Sequence, residues 1–111
     1  MGRSPRSAAP AVRVARRLVF RPEADLEINE AAEWYEARGQ GLAVEFLRIL
    51  DACIESIRRD PLLYPVVSGD VRRAVLRRFP YSVIYAVRED EIVVIACFHG
   101  RRDPKHWQDR L

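Results

Sequence analysis

Two runs with almost no polar interruption, Tyr81 to Arg88 (YSVIYAVR) and Glu91 to His99 (EIVVIACFH), stand on either side of Glu89-Asp90. Valine, isoleucine, tyrosine and phenylalanine suit a pleated, buried surface. Two such runs joined by a two-residue polar break read as an antiparallel hairpin. With Glu89 and Asp90 as the turn, the numbers of facing residues add to 179. Tyr81, Val83, Tyr85 and Val87 then share a face with Ile92, Val94, Ala96 and Phe98. Ser82, Ile84 and Ala86 share the other face with Val93, Ile95, Cys97 and His99. Both faces are apolar, so both require cover. One is expected to take helices, and the other to be left for a partner.

The helices lie upstream. Pro22 fits the first position of a helix, where its missing N–H is no loss, and Glu23 and Asp25 suit the positive end of the helix dipole. Ala24, Ile28, Ala31 and Tyr35 recur at helical spacing up to about Arg38, where RGQG breaks the pattern. Leu26 and Trp34 fall outside that stripe. The Trp34-Tyr35 pair is read as an anchor between helix and sheet, with a partner contact as the alternative. A second helix, from about Leu42 to Arg59, carries a wide apolar face of Leu42, Phe46, Ile49, Leu50, Cys53 and Ile57 and stops at Asp60-Pro61. The short connection implies an antiparallel helical hairpin.

A first strand is expected at Arg16 to Phe20, a loop over 61–70 and a strand over 71–77 (VRRAVLR). In that strand Arg72-Arg73 and Arg77-Arg78 should each place one arginine on either face. Residues 103–111 suit a short turn or helix. The order β-α-α-β-β-β gives an α+β domain with helices over an antiparallel sheet. Residues 1–12 lack periodicity and read as a flexible tail, with the domain taken as 16–111 and residues 1–15 outside it.

At 111 residues the chain is one domain. Its charge is uneven: residues 1–21 hold six arginines and no acid, 22–70 hold four arginines against eleven acids, and 71–111 hold nine basic residues against five acids. An acidic helical half and a basic sheet half are expected, and a basic patch suits nucleic acid or an acidic partner. No apolar run reaches the roughly 20 residues that span a bilayer. The basic start lacks the continuous apolar core of a signal peptide, which implies a cytoplasmic protein with no membrane partner. Cys53 and Cys97 sit within apolar patterns and read as buried free thiols. Neither HExxH, CxxC nor a glycine-rich phosphate loop is present, so no metal or cofactor is expected.

The stretches AAEWYE, DPLLYP, VRRAVLRRFPYSVIYAV, IVVIACFHGRRDP and the closing WQDR follow one another over Leu18 to Arg110, roughly 85% of the chain. In this order and spacing they resemble the RelE/ParE family of bacterial type II toxins, closest to the ParE-like, plasmid-stabilisation group. The resemblance implies a small toxin held inactive by a cognate antitoxin in a hetero-oligomer. It also implies one of two targets: DNA gyrase for ParE-like members, or messenger RNA on the ribosome for RelE-like endoribonucleases. A third reading is a non-toxic member that only binds its antitoxin.

Metal-independent RNA cleavage needs a base, an acid and cations at the phosphorane. His99 and Arg73 are the catalytic candidates under the nuclease alternative, with Arg77, Arg78, Arg101 and Arg102 as further phosphate contacts and Tyr81, Tyr85, Lys105 or His106 to complete the set. Against this, relatives that cleave RNA carry an arginine where this chain has Ser82, while the FPY before it resembles the ParE-like group. Arg73, Arg77, Arg78, Tyr81, His99, Arg101 and Arg102 are therefore expected to bind target or antitoxin. His99 and Ser82 share a face on the 179 register. Tyr81 and Tyr85 read as packing rather than as base-stacking platforms.

Overall fold

The computed structural model describes residues 16–102 and 104–111, without the side chain of His106. The tail over 1–15 and the His106 candidate lie outside these. The order is β1 (Arg17–Phe20), α1 (Pro22–Arg38), α2 (Leu42–Arg59), β2 (Val66–Ser68), β3 (Val71–Val75), β4 (Tyr81–Val87), β5 (Glu91–His99) and α3 (Lys105–Gln108). The sheet runs β1-β5-β4-β3-β2, with β1 parallel to β5 and the other pairs antiparallel.

The helical hairpin forms as its punctuation requires. Pro22 opens α1 and Glu23 and Asp25 lie in its first turn. Gly41 takes a left-handed φ of 88° ahead of α2, a conformation glycine adopts at no steric cost. The Glu36 carboxylate accepts from the Gly41 and Ala43 N–H groups, at 3.1 and 3.0 Å, satisfying amides at the start of α2. Those bonds, the Ala43 one foremost, hold the Glu36 carboxyl below its usual range.

The core has two layers. Ala24, Ile28 and Ala31 of α1 and Phe46, Leu50, Ile54 and Ile57 of α2 pack on Ala74, Val83, Tyr85, Ile92, Val94 and Cys97 of the sheet. Tyr85 is fully buried and donates to the Pro61 carbonyl at 2.7 Å. On the other side Val71, Ile84, Ala86, Val93, Ile95, Ala96 and Phe98 gather with Trp107 of α3. The second face is thus not left bare, since α3 supplies cover of the chain's own.

The hairpin register departs from expectation halfway along. Near the turn the 179 pairing holds (Val87 with Ile92, Tyr85 with Val94). Beyond it Ile84 faces Ala96 and Tyr81 faces His99. Ile95 is the extra residue of a β-bulge. A one-residue slip moves every later side chain to the opposite face. Cys97 and His99 therefore lie on the helical side with Tyr81, and His99 does not share a face with Ser82.

The bulge lies where β5 loses its neighbour. β1 pairs only as far as Val94 and then turns into α1, with the Arg21 N–H donating to the Val94 carbonyl. Past that point the outward backbone groups of β5 meet side chains. The Cys97 N–H donates to Glu27 Oε1 at 3.0 Å, and Arg110 Nη1 donates to the Ile95 carbonyl at 3.2 Å. Glu27 and Arg110 join by two bonds of 2.7 and 3.1 Å, a forked, charge-assisted pair about four-fifths buried.

Three further expectations are corrected. β2 forms inside the predicted 61–70 loop, pairing Val66 with Arg72. The strand expected over 71–77 ends at Val75, so Arg77 and Arg78 sit in the turn rather than across a strand. Arg78 takes a positive φ of 69° and pairs with Glu45 at 2.6 Å. Finally, Trp34 is half exposed and not a helix–sheet anchor. Its partner Tyr35 fills that role against Phe46, Phe79 and Tyr81.

Candidate binding cleft

A cleft of about 510 Å³ opens between α1 and the far end of β5. Glu27, Glu30, Ala31 and Trp34 form its helical wall. Tyr81, Cys97, His99, Arg101 and Arg102 form the other. The helical wall follows from spacing, because residues three and four apart share one face of a helix. The opposite wall follows from the bulge, which turns Cys97 and His99 toward α1.

The aromatic cluster behind the cleft fixes Tyr81. Phe46 and Phe79 are 5.4 Å apart, and Phe46 and Tyr81 are 5.3 Å apart, all edge-on. Tyr81 in turn meets the His99 ring edge-on at 5.3 Å. Burial raises the Tyr81 phenol above its ordinary range, with Tyr35 and Cys97 adding and Arg102 opposing, so it stays protonated at neutral pH. On the rim, the Arg38 guanidinium stacks 3.9 Å from the Trp34 ring centre, a cation–π contact.

His99 has one nitrogen committed. Its Nδ1 accepts the Arg101 backbone N–H at 3.0 Å, so the neutral ring carries its proton on Nε2. In this arrangement the imidazole can donate from Nε2 but offers no free lone pair for a base. Arg73 is elsewhere. Its Nε donates to Ser82 Oγ at 3.0 Å and its guanidinium lies 5.8 Å from the Phe98 ring, on the face away from the helices.

Of the residues singled out from the sequence, the structure gathers Tyr81, His99, Arg101 and Arg102 in one cleft. Arg73 lies on the opposite face of the sheet. Arg78 is tied to Glu45, and Tyr85 is core. Arg77 is exposed in the β3–β4 turn, and Arg72, set beside Arg73 in the sequence, holds the Leu62 and Tyr64 carbonyls. Sequence reasoning missed Glu30 as a cleft residue and kept Trp34 only as an alternative partner contact. The signal available was their four-residue spacing on α1, in line with exposed Leu26.

Among the described residues no group of three His, Cys, Asp or Glu side chains is placed to hold a metal ion. Burial pushes the Cys97 thiol up to about 12, with the Glu27 charge adding, and Cys53 up to about 11. Both thiols are therefore poor nucleophiles. The unfolded chain releases these protons near pH 9. The native chain holds them through the next two to three pH units, so the unfolded state binds fewer protons there and stability falls as pH rises. Urea titrations from pH 8 to 10.5 should show that decline, and Cys97→Ala should flatten part of it. Iodoacetamide at pH 7.5 should label urea-unfolded chains while sparing native ones.

No helix among the described residues is long and apolar enough to cross a membrane. No curated protein matches the chain. A solved structure described as "Chromosomal ParDE TA system from P. aeruginosa" holds a chain with the same fold, at TM-score 0.68 and 17% identity. The match covers 77% of this chain and 96% of that one. The family model for "ParE toxin of type II toxin-antitoxin system, parDE" matches residues 18–104, from β1 through β5 and the arginine turn beyond it. This chain belongs to the ParE toxin family of type II toxin–antitoxin systems.

Proposed function

We propose that the chain is the toxin of a two-protein pair, neutralised by a cognate antitoxin, and that it stops growth by binding DNA gyrase rather than by cutting RNA. The observation that carries this reading is the state of His99, the base candidate: its Nδ1 lone pair is committed to the Arg101 amide, and Arg73 lies on the opposite face of the sheet. The nuclease alternative needs a base and a phosphorane-stabilising cation converging on one phosphate. Arg73 faces the opposite side of the sheet from His99. Arg101 and Arg102 do stand beside His99 in the cleft, but its Nδ1 lone pair accepts the Arg101 amide, so the cations there lack a base with a free lone pair. What remains at the cleft is a binding surface. Its rim holds two exposed arginines with no carboxylate partner among the described residues, beside an aromatic wall.

Purified chain should inhibit supercoiling of relaxed plasmid by gyrase and leave ribosome-bound mRNA intact. His99→Gln keeps a donor at the ring position and should retain most of the inhibition. If the chain instead cleaves mRNA and His99→Gln lowers that cleavage about 10²–10⁴-fold, the loss expected for a general acid or base, the gyrase reading is wrong.

A further inference from the structure

We propose that the β2 edge of the sheet is an interface between two copies of this chain. The two β2 strands pair antiparallel about a two-fold axis at Val67, and two five-stranded sheets become one continuous sheet. Each copy's cleft stays open, because β3 and β4 separate β2 from β5.

Exposure, rigidity and charge carry the inference. β2 is an edge strand, and all three of its residues, Val66 to Ser68, are exposed. Edge strands present unpaired backbone groups, and proteins commonly guard them with charged side chains. Here the run over 61–69 (PLLYPVVSG) holds no charged residue, in a chain of which 32% is charged. Leu62 and Leu63, just ahead of the strand, are 59% and 67% exposed. This apolar surface is held firmly. The Pro61 carbonyl accepts from the Tyr85 hydroxyl, the Leu62 and Tyr64 carbonyls from Arg72 Nη1, and the Pro65 carbonyl from the Arg73 N–H. The segment is thereby tied to the sheet before any partner arrives, so association has little backbone to order. Charge selects the occupant. An acidic or basic segment would find no opposite charge along 61–69. A second copy brings the same uncharged run, and a two-fold interface sets each patch against itself, where like charges would repel. The axis falls at Val67, because the bulge in β2 leaves that residue without a facing residue on β3. Pro65 cannot donate to a ladder and Gly69 turns the chain with a φ of 55°, so the pairing is confined between them. The patch is small beside the roughly 20–30 residues a side of a standard interface. Half-dimerisation is therefore expected at about 100 μM.

Sedimentation of the full chain from about 1 μM to about 1 mM should show the mass rise from 12.8 kDa toward twice that value. Val67→Lys and Val67→Glu should each weaken self-association about tenfold or more, since two like charges then meet at the axis. An equimolar mixture of the two should recover it, because opposite charges meet there instead. Leu63→Lys should also weaken it, and Trp34→Ala, in the cleft, should associate as the unmodified chain does. All three positions are exposed, and circular dichroism checks that each variant is folded. A chain that stays at 12.8 kDa throughout, or a Val67→Lys chain that associates as the unmodified one does, overturns the proposal. So does a mixture that fails to associate, or a loss on Trp34→Ala, which would put the contact at the cleft. If the unmodified chain stays monomeric and Val67→Lys instead weakens binding of the product of the adjacent reading frame, the edge serves a different protein and the proposal falls.

Discussion

Glu27→Ala should unfold the chain about 12–24 °C earlier than the parent. Removing one member of a mostly buried ion pair costs about 3 kcal/mol or more, because the other charge is left without compensation. In a domain of this size each kcal/mol moves the melting temperature by roughly 4–8 °C. Here the loss reaches beyond the pair, since Glu27 also receives the Cys97 amide and Arg110 also serves the Ile95 carbonyl. Arg110→Ala should cost a similar amount. The double variant should cost clearly less than the two singles added together, the signature of residues acting as a unit. The hydrogen bond to Glu27 raises the Arg110 guanidinium above its already high ordinary range. A raised cation contributes fully below its unfolded value, so the Arg110 side of the pair is constant over any working pH. A loss under 1 kcal/mol for Glu27→Ala in thermal melts would show that the β5 edge holds its shape without the pair.

Phe46→Ala should cost about 3–5 kcal/mol, the range for emptying a buried aromatic site. Phe46 is fully buried and its ring meets Tyr35, Phe79 and Tyr81 within 5.5 Å. Alanine there would leave a cavity shared by α1, α2 and the β3–β4 turn. Urea midpoints should fall with an unchanged slope if the native state stays compact. The same variant should weaken whatever binds at the cleft, because Tyr81 loses the ring that supports it. Phe46→Leu should recover most of the stability and much of that binding. A Phe46→Ala chain that melts like the parent would mean that the aromatic cluster is not the core's keystone.

The parts of the fold that local chemistry decides were legible in the sequence. Pro22, the glycines at 39 and 41, and Asp60-Pro61 mark both helices, and Glu89-Asp90 places the hairpin turn. The bulge was not legible, because nothing in VVIACFH distinguishes Ile95 from its neighbours. Its cause is the end of β1 at Phe20 together with Glu27 and Arg110, which are 83 residues apart. Missing that one residue sent Cys97 and His99 to the wrong face. β2 was masked by Pro61 and Pro65, which made its segment read as a loop although Val66 and Ser68 can pair with β3. Trp34 was misjudged by its type. A large aromatic suggests an anchor, yet its position off the Ala24–Ile28–Ala31–Tyr35 stripe already placed it outside the packed face. The basic half of the cleft was visible as a cluster at the end of a strand. The helical half was not, since it depends on how α1 lies across β5.

The parallel pairing of β1 with β5 also sets an order of assembly. The α1–α2 pair and the β4–β5 hairpin join near neighbours and can form early. Arg17 reaches Glu91 only by closing a separation of 74 residues. Closing long loops has an entropic cost before the contacts it allows can form, which places such steps late and slows folding. β1 runs into α1 through Arg21 alone, so the step that seats β1 also sets α1 across the end of β5. A nascent chain on the ribosome can thus hold a formed hairpin while its cleft has only one wall. The cleft gains its second wall last, once β1 has found β5.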